Sequence, residues 1–336
     1  MIKILYIGNQ LSKHGINVST IETLAPLLSN EGYDVITASS QKNIFFRFLC
    51  MMKATFLNVS RVDYVIIDTY STLNFCYALA VSQVCRAFGT KYIPILHGGN
   101  LPEKIDNSPY LTGLIFKNAY VNSVPSQFLF QKLKSKSYEN CVFIPNQIEI
   151  NEYPFQLREK VKPMLLWVRS LTSIYNPKMA IDVIEQLNIY YPDVELCMVG
   201  PEKGLTVEEL KLYAQNKNVK VNFTGRLSKS EWAKLSKQYD VFINTTHFDN
   251  TPVSVMEAMA LGLPVVSTNV GGIPFLLKDN ETALLVEDSA VDEMVYAIVE
   301  LVENHDLVIK LSENGRKLVE QFDWNIVKKR WKEILK

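Results

Sequence analysis

Short runs rich in Val, Ile and Leu alternate along this chain with longer segments whose apolar residues recur at helical spacing, and that rhythm constrains the fold more than any other feature. KILYIG (3–8), DVITAS (34–39), DYVIID (63–68), KYIPIL (91–96), AYVNSV (119–124) and CVFIPN (141–146) read as strands with helices between them. Strands that are apolar almost throughout are covered on both faces, and helical crossovers join parallel neighbours. Residues 147–163 are polar and charged, with Pro154 and Pro163, and read as a linker, after which the rhythm restarts at MLLWVR (164–169). It continues through VELCMVG (194–200), VKVNFTG (219–225), YDVFINT (239–245), LPVVST (263–268) and TALLVE (282–287). The expected fold is α/β, with two doubly wound domains in series over 1–157 and 158–319. The tail, 320–336, reads as an amphipathic helix whose Trp324, Val327 and Trp331 need a surface to pack on. Ligands of such sheets bind beyond the carboxyl ends of the strands, so a cleft between the two domains is the expected site.

Composition excludes several classes. Lys and Arg number 35, as do Asp and Glu, so the chain lacks the global positive field of a nucleic-acid coat. A hydrophobic content of 48% rules out intrinsic disorder. The five cysteines, Cys50, Cys76, Cys85, Cys141 and Cys197, are scattered without a CxxC pair, which argues against a disulfide framework or a zinc site and fits a reducing cytoplasm. The opening MIKILYIGN lacks the features of a signal peptide, and no apolar run is long enough to span a bilayer. The aromatic stretch NIFFRFLCMMKATFL (43–57), with Arg47 and Lys53, has two readings: a mostly buried helix, which is the ordinary one, or an amphipathic helix touching a membrane surface.

The most informative segment is HFDNTPVSVMEAMALGLPVVSTNVGG (247–272). Thr251 suits an N-cap and Pro252 the first helical position, so a helix is expected from Pro252 to about Leu261, stopping at Gly262. Proline has no N–H, which leaves the amides of Val253 and Ser254 at a positive helix end suited to phosphate. Asp249 lies just before that end and Glu257 further along the helix. A phosphate cradle between two carboxylates suits a sugar nucleotide; the same residues also suit an ordinary capped helix with solvated acids. GxGxxG and GxxxxGK[ST] are both absent, so a nicotinamide, flavin or P-loop fingerprint is missing. There is no DxD triplet and no clustered His/Asp set, so no metal is expected.

Asp249 and Glu257, followed by MEAMALGLPVV (256–266), resemble the carboxylate-x7-carboxylate signature of retaining glycosyltransferases of family 4. The likeness extends over essentially the whole chain, through Gly8, HGGN (97–100), IPNQI (144–148), WVRSL (167–171), MVGP (198–201), FTGRLS (223–228) and FDWNIV (322–327). It implies the GT-B fold, two Rossmann-like domains facing a cleft, with the final helix crossing back to the first domain. Glu257 would then bind the ribose of a nucleoside-diphosphate sugar, with Thr251, Val253 and Ser254 at the diphosphate. Asp249 would stabilise positive charge at the anomeric carbon. Most of the family has Glu there, and Asp reaches about 1.5 Å less far. Arg169 would offset the charge of the leaving diphosphate. The Lys expected five residues after it is Ile174 here, leaving Lys178 as the nearest substitute. Arg226 would lie near the base, His97 near the sugar, and Gly8 and Gly15, with Ile16, in a loop facing donor and acceptor. Gly98 and Gly99 would permit close approach of chain to ligand. Phe275 stands where many relatives have an acid.

The implied activity is metal-independent, retaining hexosyl transfer from a nucleotide sugar to a carbohydrate or lipid-linked acceptor. Its setting would be the cytoplasm, in bacterial capsule, exopolysaccharide or lipopolysaccharide synthesis. Two rivals stand beside it: a nucleotide-sugar epimerase or phosphorylase on the same fold, and a non-catalytic sugar-nucleotide-binding subunit.

Overall fold

The computed structural model describes residues 1–15, 18–98 and 100–336; Ile16 and Gly99 lie outside the described residues. The chain divides into two compact units, Met1–Pro145 with Lys328–Lys336, and Asn146–Val327.

In the first unit six parallel strands form one sheet: β1 (Lys3–Ile7), β2 (Asp34–Ala38), β3 (Tyr64–Thr69), β4 (Lys91–Leu96), β5 (Asn122–Val124) and β6 (Cys141–Phe143). Their order is β2-β1-β3-β4-β5-β6. Strand order reverses beside β1, where Ile4 pairs with Tyr64 and Ile7 with Ile67. β1, β3 and β4 are buried over nearly their whole length because helices cover both faces, which is why they read as continuous apolar runs.

The second unit repeats the plan with β7 (Met164–Val168), β8 (Glu195–Val199), β9 (Val221–Gly225), β10 (Val241–Asn244), β11 (Val265–Thr268) and β12 (Leu284–Val286). The order β12-β11-β10-β7-β8-β9 puts the reversal between β7 and β10. Separate apolar clusters fill the two faces, one around Trp167 and Ile184, the other around Leu166, Met256 and Val265.

The boundary falls at Pro145 and not at residue 157. Residues 147–163, expected as a linker, are part of the second unit because their apolar members are buried in it: Ile148 and Tyr153 join its core and Val161 its other cluster. Arg158, also buried, donates to the carbonyls of Leu261 and Ser236. The helix His305–Glu320 buries Leu307, Leu311 and Val319. The final helix, Trp324–Ile334, starts later than residue 320 because Asp323 interrupts the chain, its carboxylate accepting the amides of Asn325 and Ile150. From Lys328 onward the tail belongs to the first unit, where Glu31 pairs with Lys328 (2.8 Å) and Lys332 (2.6 Å).

The helix Ile44–Asn58 departs from the ordinary buried reading. It buries only Arg47, Met51 and Thr55. Phe45, Phe46, Leu49, Phe56 and Leu57 are 63%, 60%, 46%, 55% and 56% exposed and share one face at helical spacing. Among the described residues no helix is long and apolar enough to cross a membrane.

Candidate functional site

Where strand order reverses in an open parallel sheet, the loops beyond adjacent strands diverge and leave a crevice. In the second unit Arg169 directly follows β7, and Asp249 lies in the loop beyond β10. Those strand ends are tied together, since the Trp167 indole donates to Thr245 Oγ1 (3.0 Å). Arg169 Nη2 meets Asp249 Oδ2 at 2.6 Å, and the side chains are 13% and 16% exposed. The other oxygen, Oδ1, accepts the amide of Asn250 (2.7 Å), and the guanidinium lies 4.8 Å from the centre of the Tyr175 ring. Arg169 Nε is buried without a hydrogen-bond partner. Gly272 holds the acidic loop from the other side by donating its amide to Asp249 O (2.7 Å). A Cβ at this glycine would fall 1.9 Å from Asn250 O, so no other residue fits without moving the loop.

The helix that follows spans Val253–Ala260. Pro252, not Thr251, is its N-cap, because Pro252 is extended (φ −70, ψ 109) and its carbonyl already accepts the amides of Val255 and Met256. No side chain caps this end. The amides of Val253 and Ser254 therefore remain among the orphan donors of the first turn, and Ser254 Oγ is buried with no partner. The helix stops as expected before Gly262, whose φ is +81. The following helix, His305–Glu320, holds it in place: Ser312 donates to Gly262 O (2.7 Å) and Arg316 to Ala260 O (2.7 Å) and Tyr153 O (2.9 Å).

Glu257 is a buried carboxylate in the second turn of that helix. The Tyr153 hydroxyl donates to Oε1 at 2.6 Å, and Lys229 Nζ lies 3.4 Å from the same oxygen. Burial raises the carboxyl above its usual range, opposed by the charge of Lys229, the Tyr153 hydrogen bond and the charge of Arg169. The Tyr153 phenol is pushed up in turn by its own burial and by Glu257. Sequence reasoning missed both partners. Tyr153 is 104 residues away in a segment that reads as a linker, and Lys229 looks like a surface lysine at a helix start.

Arg226, just beyond β9, is exposed and makes no ion pair with the described residues. Lys178 is not brought to Arg169 or Asp249: its ammonium sits 5.3 Å from the centre of the Tyr213 ring.

In the first unit, the polar groups gather where β1 and β3 meet. His97 follows β4, is buried, and its Nε2 lies 3.0 Å from Asp68 Oδ1. The ring stacks on Tyr70 at a centroid distance of 5.2 Å. Gly8 follows β1, and a Cβ there would fall 2.5 Å from Asp68 Oδ2, so the glycine makes room for this carboxylate. Gly15 ends a short turn of 3-10 helix at φ +80, with open space around its Cα. Asp68 was also missed, although an acid closing an otherwise apolar strand, VIID, is a visible signal.

Two doubly wound α/β units, the second with an arginine, two acids and an uncapped helix start at its switch point, define a chain of the GT-B architecture. The chain belongs to the glycosyl transferases group 1 family, whose model matches residues 149–318. An uncharacterized glycosyltransferase of Haemophilus influenzae is 30% identical over 148 residues, covering 43% of this chain and 41% of that protein. In this relative and in two others, a probable sucrose-phosphate synthase of Thermosipho melanesiensis and an uncharacterized glycosyltransferase of Methanocaldococcus jannaschii, the aligned stretch spans 41%, 40% and 34% of the relative's length. Among solved structures, sucrose-phosphate synthase from Thermosynechococcus elongatus superposes with a TM-score of 0.83 at 16% identity, over 99% of this chain and 98% of that one. Anabaena HepE in complex with UDP and glucose superposes with a TM-score of 0.77 at 18% identity, over 100% and 99% of the two chains. These likenesses establish the fold.

Proposed function

We propose that the protein is a retaining glycosyltransferase of the family 4 type, moving a hexosyl group from a nucleoside-diphosphate sugar to a carbohydrate or lipid-linked acceptor. The observation that carries this reading is a set of donors lacking acceptors at the switch point of the second unit. Arg169 Nε and Ser254 Oγ are buried without partners beside a helix start that no side chain caps. A buried donor left unmet costs about 1–3 kcal/mol, and a diphosphate supplies the acceptors. The structure of Anabaena HepE in complex with UDP and glucose supports a nucleotide sugar as that ligand.

In this mechanism Glu257 binds the ribose hydroxyls, held in place by Tyr153 and Lys229. Arg169 and the amides of Val253 and Ser254 bind the departing diphosphate more strongly as its charge grows, which is the differential stabilisation that turnover needs. The acceptor hydroxyl attacks the face from which the nucleotide leaves and passes its proton to a leaving phosphate oxygen. Asp249 sets the charge balance at the anomeric carbon together with Arg169, its ion-pair partner, and His97 contacts the sugar. Arg226 serves the base. No metal is required, because cationic side chains and helix amides neutralise the diphosphate.

The reading includes peripheral binding to the cytoplasmic membrane surface through the helix Ile44–Asn58. Its open face carries Phe45, Phe46, Leu49, Phe56 and Leu57 around Lys53, and no Asp or Glu occurs between Asp34 and Asp63, whereas Lys42, Lys53 and Arg61 do. An apolar face with a lysine within it, flanked in sequence by cations and free of acids, matches an anionic bilayer. Surface-polysaccharide synthesis on a lipid carrier is the setting we infer.

The test is incubation with a panel of nucleotide sugars and carbohydrate or lipid-linked acceptors, followed by proton NMR of the product. The expected result is a glycoside that keeps the donor's anomeric configuration. An inverted linkage overturns the retaining mechanism, donor isomerisation or cleavage without glycoside favours an epimerase or phosphorylase, and tight donor binding without turnover favours a non-catalytic subunit.

A further inference from the structure

Asp68 is fully buried near the end of β3 and is surrounded by donors. The Tyr6 hydroxyl donates to its Oδ1 at 2.8 Å, His97 Nε2 approaches the same oxygen at 3.0 Å, and the Tyr77 hydroxyl donates to its backbone carbonyl at 2.6 Å. Its second oxygen, Oδ2, is buried without a partner and points at the space kept open by Gly8. Apart from His97 no basic side chain is among these neighbours, so the carboxylate is held by the Tyr6 hydroxyl and the His97 ring N–H. The His97 ring cannot turn freely, because it is stacked on Tyr70 and its backbone amide is bonded to Thr69 O (2.8 Å).

We propose that Asp68 is a positioning residue that fixes His97 as the Nε2–H tautomer and thereby makes Nδ1 the nitrogen that accepts a hydrogen bond from a hydroxyl of the transferred sugar. The reason is donor arithmetic. A carboxylate only accepts, so a ring nitrogen 3.0 Å from Oδ1 must carry the proton; an unprotonated Nε2 would set lone pair against lone pair in a site closed to water. In the neutral ring a proton committed to Nε2 leaves Nδ1 an acceptor, and the hydrogen bond of this ring within the described residues is the one made by Nε2. Burial makes the arrangement stiff, since both oxygens of Asp68 are shut off from water that might otherwise exchange with the ring. The inference rests on the reading that His97 contacts the sugar, but the tautomer itself is a property of the protein without substrate.

The experiment is NMR of the full chain carrying ¹⁵N-labelled histidine, with the His97 ring signals assigned by their loss in His97→Gln. The wild-type protein is expected to show the proton on Nε2 and an unprotonated Nδ1. In Asp68→Asn the carboxamide can donate to Nε2, so the proton should move to Nδ1. Turnover should fall about 10- to 100-fold, the range for removing the group that orients a functional histidine, with the donor KM changed less than threefold. A wild-type His97 protonated on Nδ1 overturns the proposal, as does an Asp68→Asn chain that keeps both the Nε2 proton and its turnover. If Asp68→Asn does not fold, the wild-type spectrum still decides. If no nucleotide sugar is turned over, the transferase reading fails while the tautomer is read independently.

Discussion

Arg169 Nη2 and Asp249 Oδ2 are 2.6 Å apart, so the cation expected to meet the diphosphate and the acid expected to meet the sugar are partners of each other. The pairing follows from the strand order. β7 and β10 are neighbours in the sheet although far apart in sequence, and each residue lies just beyond its strand. An Asp at 249 also reaches Arg169 while its other oxygen accepts the Asn250 amide, so both oxygens have work in the loop itself.

Asp249→Asn should lower turnover by roughly 10²-fold or more with donor binding nearly intact, because the amide keeps the shape and loses the charge. Arg169→Ala should cost at least as much and should also lower the melting temperature, since it strands a partly buried carboxylate. Because the groups touch, the double variant should lose less than the product of the two single effects. A fall of less than threefold in kcat for either single variant counts against its role.

Glu257→Ala should raise the donor KM with kcat little changed, the signature of a contact made equally in ground and transition states. Tyr153→Phe should raise the same KM and cost about 0.5–1.5 kcal/mol of stability, because it removes the hydroxyl that donates to a buried carboxylate. Steady-state kinetics and urea melts check both; an unchanged KM in folded Tyr153→Phe removes that residue from the site.

Replacing Phe45 and Phe56 together by Ser should abolish sedimentation with phosphatidylglycerol vesicles and leave transfer to a water-soluble acceptor unchanged. Wild-type protein should bind those vesicles and bind phosphatidylcholine vesicles weakly. Absence of binding to either, with light scattering showing a dimer that the double variant loses, would assign this face to a second copy of the chain.

Full activity is expected in excess EDTA. Loss of activity that Mg²⁺ or Mn²⁺ restores would overturn the view that Arg169 and the helix amides neutralise the diphosphate unaided.

The tail supplies a pH-dependent contact. Lys328 and Lys332 hold the Glu31 carboxyl down at about 2 when the chain is folded, so its stabilising contribution is present above the ordinary glutamate range and disappears as pH falls toward 2. Glu31→Gln should therefore melt below wild type at pH 7, and the gap should close on acidification between about pH 4.5 and pH 2. Melting temperatures that coincide at pH 7 would show that the pair is too solvated to matter.

The amino-acid sequence determined the twelve strands, the parallel α/β class and the stop of the site helix before Gly262, because each is written in local periodicity and in residues such as Gly262 whose backbone preferences act on their immediate neighbours; the start of that helix it placed one residue early, at Pro252. It also marked Arg169 and His97 as strand-end residues, Asp249 as lying just before a helix start and Glu257 as lying within that helix. Tertiary structure alone decided what each of these touches. Tyr153 reaches Glu257 only because residues 147–163 pack into the second unit, Asp68 reaches His97 only because β3 and β4 are adjacent, and Lys178 is drawn to Tyr213 by the neighbouring helix. The open face of the helix Ile44–Asn58 was undecided for the same reason: an apolar helix reads alike whether it is covered or bare. Periodicity reports that a face is apolar, and only the packing of distant segments determines whether anything covers it.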